Sequence, residues 1–452
     1  LPAEAEYGLS SAFYYLFAAI VFLIPTSLVA AELAAMFKDK QGGVFRWVGE
    51  AFGKKWGFLS IWLQWIESTI WYPTVLTFGA VAIAFIGMDH VYDMSLASNK
   101  VYSLIVVLCI YWLATFISLK GMGWVAKVAK IGGLVGTIIP AALLVVLGVV
   151  YLLMGGVPQM DFHGSFFPDL SNMNNLVLAS GIFLFYAGME MSGIHVTDME
   201  NPAKNYPKAI FTGAAITVLI FVLGTFALGV IIPQKDISLT QSLLIGFDKY
   251  FAFLRASWLS PVIAVALAFG VLASVLTWVS GPSKGIFAVG KAGYLPPFFQ
   301  KANENGVQRN ILLVQGGIVT LLSLLFVVMP SVQSFYQILS QLTVLLYLIM
   351  YLMMFAAAIK LRYNMKDAER PYRIGSKGNA LMWIVSGLGL LAFVLSFIPP
   401  AQIATGSNTV WYSVLVIGCI VMVVIPFIIY ANRKESWIDK SASFEPFHWE
   451  EK

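Results

Sequence analysis

Residues 174–195 read NNLVLASGIFLFYAGMEMSGIH, an apolar run interrupted by Gly188, Glu190 and Gly193. A helix needs about 20 mostly apolar residues to cross a bilayer, so this run is long enough to span one. Glycines inside a span free backbone groups that must be satisfied away from lipid, usually beside a cavity. An acid at mid-depth is costly in hydrocarbon and marks a functional path by default. The run therefore favours a broken helix beside an internal site over glycines that serve only close helix packing.

The composition of the whole chain is that of a membrane protein. Of its 452 residues, 59% are hydrophobic and 11% are charged, whereas a soluble domain has about 25% charged residues. This excludes a water-soluble enzyme and a nucleic-acid-binding protein. Cys109 and Cys419 lie in apolar runs and predict no disulfide framework, and the four histidines lack metal-site spacing, so neither a metal nor a cofactor is expected.

Apolar runs long enough to span recur along the chain and predict about eleven transmembrane helices. They cover residues 11–37, 57–87, 101–119, 129–154, 174–195, 209–233, 258–283, 310–329, 334–359, 380–398 and 410–431. The stretch 239–254 is shorter and contains Asp248 and Lys249, which predicts an amphipathic helix lying on the surface.

The basic residues give the orientation of these spans. Alternate loops and the tail 432–452 carry 24 of the 28 lysines and arginines, and basic residues crowd cytoplasmic loops. This predicts a multi-pass protein of the plasma (inner) membrane with a cytoplasmic C-terminus, and it places residues 1–10 in an external loop.

Four motifs resemble those of one transporter family. They are QGGVFRWVGEAFG at 41–53, GPSKG at 281–285 running on to GYLPP at 293–297, FYAGMEMSGIHVTDMENPAKNYPKA at 185–209, and RPYR at 370–373. The patterns resemble the amino acid/polyamine/organocation (APC) transporter superfamily, and the third is similar to the bacterial glutamate/γ-aminobutyrate antiporter branch. The resemblance extends over nearly the whole chain.

The resemblance implies an all-α polytopic protein with leucine-transporter-like inverted five-helix repeats, in a single transmembrane transporter domain. The eleven spans then correspond to helices two to twelve of twelve, and the first helix is expected to be missing from this sequence. Residues 11–154 would be the remainder of the first repeat, 174–359 the second repeat, and 380–431 the last two helices.

The same resemblance implies the site residues. Gly188 and Glu190 match the broken helix. Substrate-binding residues are expected to be Tyr186, Ala187, Gly188, Met189, Glu190, Glu67 and Ser68, and gating residues Trp278 and Phe185. From the residues alone, core packing is the better explanation of Trp278; with the resemblance added, the gating role and core packing explain it equally. Glu67 has the alternative of a structural, hydrogen-bonded carboxylate, which is also the expectation for Glu32.

These residues predict a secondary transporter for a small amino acid or amine that works by alternating access. Exchange of an amino acid for another or for its amine product is expected; the alternative is proton-coupled symport, with Glu190 and Glu67 as proton carriers. At Glu67 the sequence departs from the glutamate branch, which has an uncharged amide at the corresponding position. Two acids, Glu67 and Glu190, in one pocket would repel an anionic substrate, so a neutral or cationic substrate is expected. A polytopic enzyme or a channel is disfavoured, because the sequence shows neither a recognisable catalytic site nor an ion filter. The tail 432–452 is also short compared with the C-terminal plug that closes the cytoplasmic side in the glutamate branch.

Overall fold

The computed structural model describes residues 5, 8–162, 164–168, 182–191, 199–375, 378–395, 408–442 and 445–450. Across these residues the chain is almost entirely helical. Apart from the loops, the exception among them is one isolated antiparallel β-bridge between Ala292 and Ile438.

The described helices are labelled here in chain order. They are α1 Ser10–Met36, α2 Val44–Phe52, α3 Lys54–Ala84, α4 His90–Ala97, α5 Lys100–Leu119, α6 Met122–Leu153, α7 Pro202–Ile231, α8 Ser242–Phe253, α9 Ser260–Lys291, α10 Arg309–Ser323, α11 Leu325–Val328, α12 Val332–Asn364, α13 Ala380–Leu395 and α14 Asn408–Ala431. One π-helical turn interrupts α1 at Ala19–Leu23, and another interrupts α6 at Leu134–Ile138.

Eight described segments are long and apolar enough to cross a membrane. They lie in α1, α5, α6, α7, α9, the joined pair α10 and α11, α12 and α14, and they coincide with eight of the predicted spans. Helix α13 is equally apolar but shorter over its described part. The predicted span 174–195 is described only at 182–191. The expectation of an all-helical polytopic membrane protein is confirmed.

Helix α3 is the central helix of the bundle. It packs against α2, α5, α9, α12 and α14, and every residue from 57 to 70 is buried. It is as long as the spanning helices but carries more tryptophan and polar side chains. A helix that other helices shield from lipid does not need an apolar surface all round. This position explains why α3 can hold Gln64 and Glu67 at mid-length.

Helix α8 corresponds to the amphipathic helix predicted at 239–254. It packs against α6, α7 and α9, so most of its apolar side chains are buried. The two charged residues in its middle, Asp248 and Lys249, stay partly exposed, as expected for a helix with one apolar face.

A buried ion pair fastens α1 to the loop that follows α12. Arg362 donates from Nε to Glu32 Oε1 at 2.7 Å, and the amide of Ile374 donates to Glu32 Oε2 at 2.8 Å. Arg370 Nε lies 3.5 Å from the same carboxylate. Glu32 therefore has the structural role expected from its position near a helix end, and it holds the RPYR motif in place.

The C-terminal residues 445–450 dock on α2. Arg46 donates to the carbonyl of Glu445 at 2.6 Å and lies 4.7 Å from the ring centre of the buried Phe447. The amide and the ring Nδ1 of His448 lie 3.1 and 2.7 Å from Glu50 Oε2. Although the tail is short, it thus covers α2 with aromatic and charged contacts.

We call the end of the bundle that carries this tail the tail face. It also contains the loop 292–308, since Lys291 pairs with Asp439 at 3.8 Å and Asn303 donates to the carbonyl of Leu119 at 2.6 Å. The opposite face is joined by other contacts, such as His90 with Asp248 at 3.2 Å. The loops therefore segregate into two faces, as expected when helices cross a membrane.

We expect Glu32→Gln to destabilise the protein by about 3–5 kcal/mol, because it leaves Arg362 buried without its partner. Unfolding of the purified protein in detergent, followed by tryptophan fluorescence, measures this. Glu369→Gln is the control, because the pair of Glu369 with Lys38 is exposed at 3.9 Å and contributes little. Equal midpoints for the two variants would contradict a structural role for Glu32.

Candidate functional site

The chain leaves the helical path at Gly188. Helical residues 182–186 end before Ala187, and Gly188 has a φ of +104°, which side-chain-bearing residues rarely adopt. The amide of Gly188 donates to the hydroxyl of Tyr351 in α12 at 2.7 Å. The second predicted break residue, Gly193, lies outside the described residues. The segment 187–191 is thus an irregular stretch anchored to a neighbouring helix.

Glu190 lies in the middle of three hydrogen-bond donors from two helices. Its carboxylate is fully buried and accepts from Gln64 of α3 at 2.9 Å and from Tyr347 of α12 at 2.7 Å, both at Oε1. Tyr351 donates to Oε2. A buried carboxylate requires such donors, because its desolvation is otherwise very costly. The carboxylate therefore ties the broken segment to both helices.

Glu67 lies on the same side of α3 as Gln64, one helical turn further along. Its carboxylate is 2% exposed, and the hydroxyl of Ser68 lies 2.6 Å from its Oε1. It is close enough to Glu190 and Tyr347 to interact electrostatically with both. The structure thus brings the two acids selected from the sequence into one buried region.

One buried polar atom beside Glu190 has no hydrogen-bond partner among the described residues. It is Oε1 of Gln64, whose amide nitrogen donates to Glu190. Nearby polar groups are paired, since Trp65 donates to Gln315 at 2.6 Å and Gln315 donates to Tyr111 at 2.9 Å. A buried polar atom without a partner costs about 1–3 kcal/mol. The oxygen of Gln64 is therefore suited to accept a hydrogen bond from a polar ligand or water.

Trp278 of α9 closes over the break. A Cβ atom added at Gly188 would lie 2.7 Å from its ring, and the Trp278 ring centre lies 5.4 Å from that of Trp71 in α3. Its side chain is half-buried. The ring thus lies directly against the irregular backbone.

The other residues selected from the sequence have contacts on a different side. Phe185 stacks on Phe221 of α7 at 5.4 Å between ring centres, and the hydroxyl of Tyr186 donates to the carbonyl of Tyr15 in α1 at 3.3 Å. The carbonyl of Met189 accepts from Tyr206 of α7 at 3.4 Å. Ala187 is half-buried at the break itself. The structure thus divides the predicted set between the α3, α9 and α12 side and the α1 and α7 side.

Sequence reasoning missed three residues that contact Glu190, namely Gln64, Tyr347 and Tyr351. The tyrosines are four residues apart and so share one face of α12, but this spacing is equally typical of core packing. Gln64 is the amide one turn before Glu67, and an uncharged amide in a span gave no distinct signal.

No group of three or more His, Cys, Asp or Glu side chains within the described ranges could hold a metal ion. The chemistry that this region offers is instead hydrogen bonding and charge: two carboxylates, two tyrosine hydroxyls and irregular backbone. Such a set suits a small zwitterion or an ammonium group.

The fold is similar to that of a solved transporter. The structure of MhsT in complex with L-phenylalanine matches with a TM-score of 0.58, covering 92% of this chain and 90% of that chain. At 14% identity this likeness concerns the fold alone. The protein accordingly has the leucine-transporter-like fold of a polytopic membrane transporter.

Sequence comparison defines the family. The amino acid permease profile matches residues 3–425. An uncharacterized transporter of Legionella pneumophila is 37% identical over 96% of this chain and 93% of its own. A glutamate/gamma-aminobutyrate antiporter of Lactococcus lactis is 33% identical over 95% of this chain and 86% of its own. The chain therefore belongs to the amino acid permease family of the APC superfamily and is a transporter, not an enzyme. The resemblance seen in the motifs is confirmed.

We expect Gly188→Ala to reduce transport by about tenfold or more, because φ > 0 costs alanine about 1–3 kcal/mol and its methyl group displaces Trp278. The measurement is counterflow of labelled glutamine, arginine, phenylalanine and glutamate in proteoliposomes. Gly213→Ala in α7 is the control, since no other atom approaches that position within 4 Å. Normal transport by Gly188→Ala would show that the broken backbone is not required.

Proposed function

We propose that the protein is a secondary active amino acid transporter that exchanges an amino acid for another amino acid or for its amine product by alternating access. The observation that carries this proposal is the irregular segment at Gly188, with Glu190 buried between α3 and α12. Substrates of this fold class bind near the bilayer midplane at discontinuous helices. The family membership supports the transporter class, and the Lactococcus relative, named as an antiporter, supports exchange.

The geometry suggests how a substrate binds. The α-carboxylate would meet the backbone amides at the break, and the α-amine would meet carbonyl ends and the two acids. The residues proposed to line the substrate are Tyr186, Ala187, Gly188, Met189, Glu190, Glu67 and Ser68. Trp278, which lies against Gly188, and Phe185 are the proposed gates.

Tyr351 links the break to Glu190. Its hydroxyl accepts from the amide of Gly188 and donates to the carboxylate of Glu190. A substrate carboxylate that takes the Gly188 amide would compete with this hydroxyl. Movement of Tyr351 would then remove one of the three donors that stabilise the charge of Glu190. Through Tyr351, substrate binding at the break would therefore change the hydrogen bonding of Glu190.

Proton-coupled symport is the second candidate. Glu67 and Glu190 are buried close to each other, and either could carry a proton through the cycle. Exchange is preferred because the Lactococcus relatives that are 33% identical to this chain are named as antiporters. The two mechanisms differ in whether substrate on the far side of the membrane accelerates transport.

The substrate is proposed to be neutral or cationic. Two unit charges about 4 Å apart repel by about 4 kcal/mol at an effective dielectric constant of 20. A third negative group in the region of Glu67 and Glu190 would therefore bind poorly unless a proton neutralised one acid. The glutamate anion is therefore not the proposed substrate, although relatives carry glutamate in their names.

The tail face is proposed to be cytoplasmic, in the plasma membrane. The loops and tail that form it carry most of the lysines and arginines of the chain, in keeping with the distribution of basic residues in membrane proteins.

We expect efflux of a loaded, labelled amino acid from proteoliposomes to accelerate by about tenfold when an exchange substrate is added outside, because an antiporter returns slowly when empty. The measurement is the initial efflux rate with and without external unlabelled amino acids or amines. Efflux that is independent of external substrate and rises with a proton gradient would favour symport instead.

We expect Glu67→Gln to shift the preference toward anionic substrate, raising the ratio of glutamate to glutamine counterflow by about tenfold as one buried negative charge is removed. Glu369→Gln, which alters an exposed carboxylate, serves as the control. Robust glutamate counterflow in the unmodified protein that is unchanged in Glu67→Gln would contradict the proposed role of Glu67.

A further inference from the structure

The junction of α5 and α6 on the tail face exposes an indole ring next to two lysines. Lys120 follows the last residue of α5, and Lys127 lies in the second turn of α6. Their Nζ atoms lie 5.5 and 5.8 Å from the ring centre of Trp124, which is within the range of a cation–π contact. All three side chains are exposed. Two ammonium groups are therefore held on one exposed aromatic ring.

This cluster lies at the end of an apolar stripe on α6. Beyond Trp124 and Lys127 along the helix, Ile131, Leu134 and Ile138 are exposed. Their spacing of three and four residues places them on one side of the helix. We call these three residues the lipid-facing stripe, because exposed apolar side chains of a spanning helix meet lipid tails. Trp124 and Lys127 precede them and so lie at the level of the lipid headgroups.

The two ammonium groups have no carboxylate partner in the described chain. Lysine–carboxylate ion pairs occur there at other positions, and neither Lys120 nor Lys127 takes part in one. One acid, Glu304, lies on the loop whose Asn303 donates to the carbonyl of Leu119. The side chain of Glu304 is exposed and forms no ion pair with Lys120 within the described ranges. The cluster thus keeps a net positive charge.

The opposite side of α6 packs closely on α9. A Cβ atom added at Gly136 would collide with the backbone of Gly270, so the two backbones touch with no side chain between them. Two turns further along α9, Trp278 lies against Gly188 of the broken segment. Because a close-packed contact leaves no free space, a displacement of α6 is passed on to α9. The lysine cluster is thereby connected to the central site.

Lysines near helix ends also extend toward water without binding any particular lipid. That arrangement would leave each ammonium group in water and would not hold two of them on one ring, where like charges repel. An anion placed between them offsets this repulsion. The geometry therefore favours a ligand that is anionic at one end and apolar at the other.

We propose that Lys120, Trp124 and Lys127 form a binding site for the phosphate group of an anionic phospholipid such as phosphatidylglycerol. The phosphate pairs with both lysines, the glycerol packs on the indole, and the acyl chains follow the lipid-facing stripe. A lipid is assigned over free phosphate because only a lipid uses this stripe. A bound lipid also holds α6 against α9 and so supports transport, a consequence that rests on the proposed function.

Binding is measured by native mass spectrometry of the purified full chain titrated with phosphatidylglycerol. We expect the double variant Lys120→Gln/Lys127→Gln to raise the Kd by about tenfold or more, because both basic partners of the phosphate are lost. Lys120→Arg/Lys127→Arg keeps the charge and should stay within about twofold. The matched control is Lys366→Gln/Lys440→Gln, which removes two exposed lysines in the loop after α12 and in the tail.

Three results would overturn the lipid site. The first is an unchanged Kd in the Lys120→Gln/Lys127→Gln variant. The second is an equal rise in the control variant, since any loss of surface charge would then have the same effect. The third is displacement of the lipid by inorganic phosphate, which would assign the lysines to a free anion.

The link to transport is tested by counterflow of labelled glutamine in vesicles of phosphatidylcholine with and without phosphatidylglycerol. We expect phosphatidylglycerol to raise the initial rate of the unmodified protein by about threefold, and the Lys120→Gln/Lys127→Gln variant to lack this increase. An equal rate of the unmodified protein in both lipid mixtures would overturn the link through α9. Normal lipid binding without transport of any tested amino acid would contradict the proposed function and support the lipid site.

Discussion

The carboxylate of Glu190 is the group on which the arrangement around the broken helix depends. A charge that is fully removed from water requires several donors, and here they come from Gln64, Tyr347 and Tyr351 on two helices distant in sequence. Glu190 lies on an irregular segment that lacks the regular backbone hydrogen bonds of a helix. The hydrogen bonds to its carboxylate therefore hold this segment in place. They fix its position relative to α3 and α12, and through Gly188 and Trp278 relative to α9 as well.

Much of the fold followed from the sequence because hydrocarbon imposes a simple rule on helices. Runs of about 20 apolar residues predicted eight segments that the structure also has. Helix α3 shows the limit of this rule, since its role as the buried centre of the bundle follows from the packing of the helices around it, not from its own composition. The predicted spans 258–283 and 334–359 were also shorter than α9 and α12, because these two helices extend past the apolar core into polar surroundings.

The site was predicted in part. An acid and a glycine inside an apolar run are conspicuous, so Gly188, Glu190 and Glu67 could be selected from the sequence. Their partners could not, because a tyrosine or glutamine in a span has several uses and the sequence does not say which helices meet. The docking of the short tail was missed for the same reason: its partners, Arg46 and Glu50, are about 400 residues away.

The tail contact joins two segments that lie about 400 residues apart in the chain. Helix α2 leaves the ribosome long before residues 445–450, so the contact cannot form until every helix between them has been synthesised. Bringing together two segments this far apart in the chain costs conformational entropy. The folded bundle between them lowers this cost, because it already holds the two segments near each other. The tail therefore docks only after the bundle has assembled. A chain truncated before residue 445 would leave the charged and aromatic surface of α2 uncovered, where cellular quality control could recognise it.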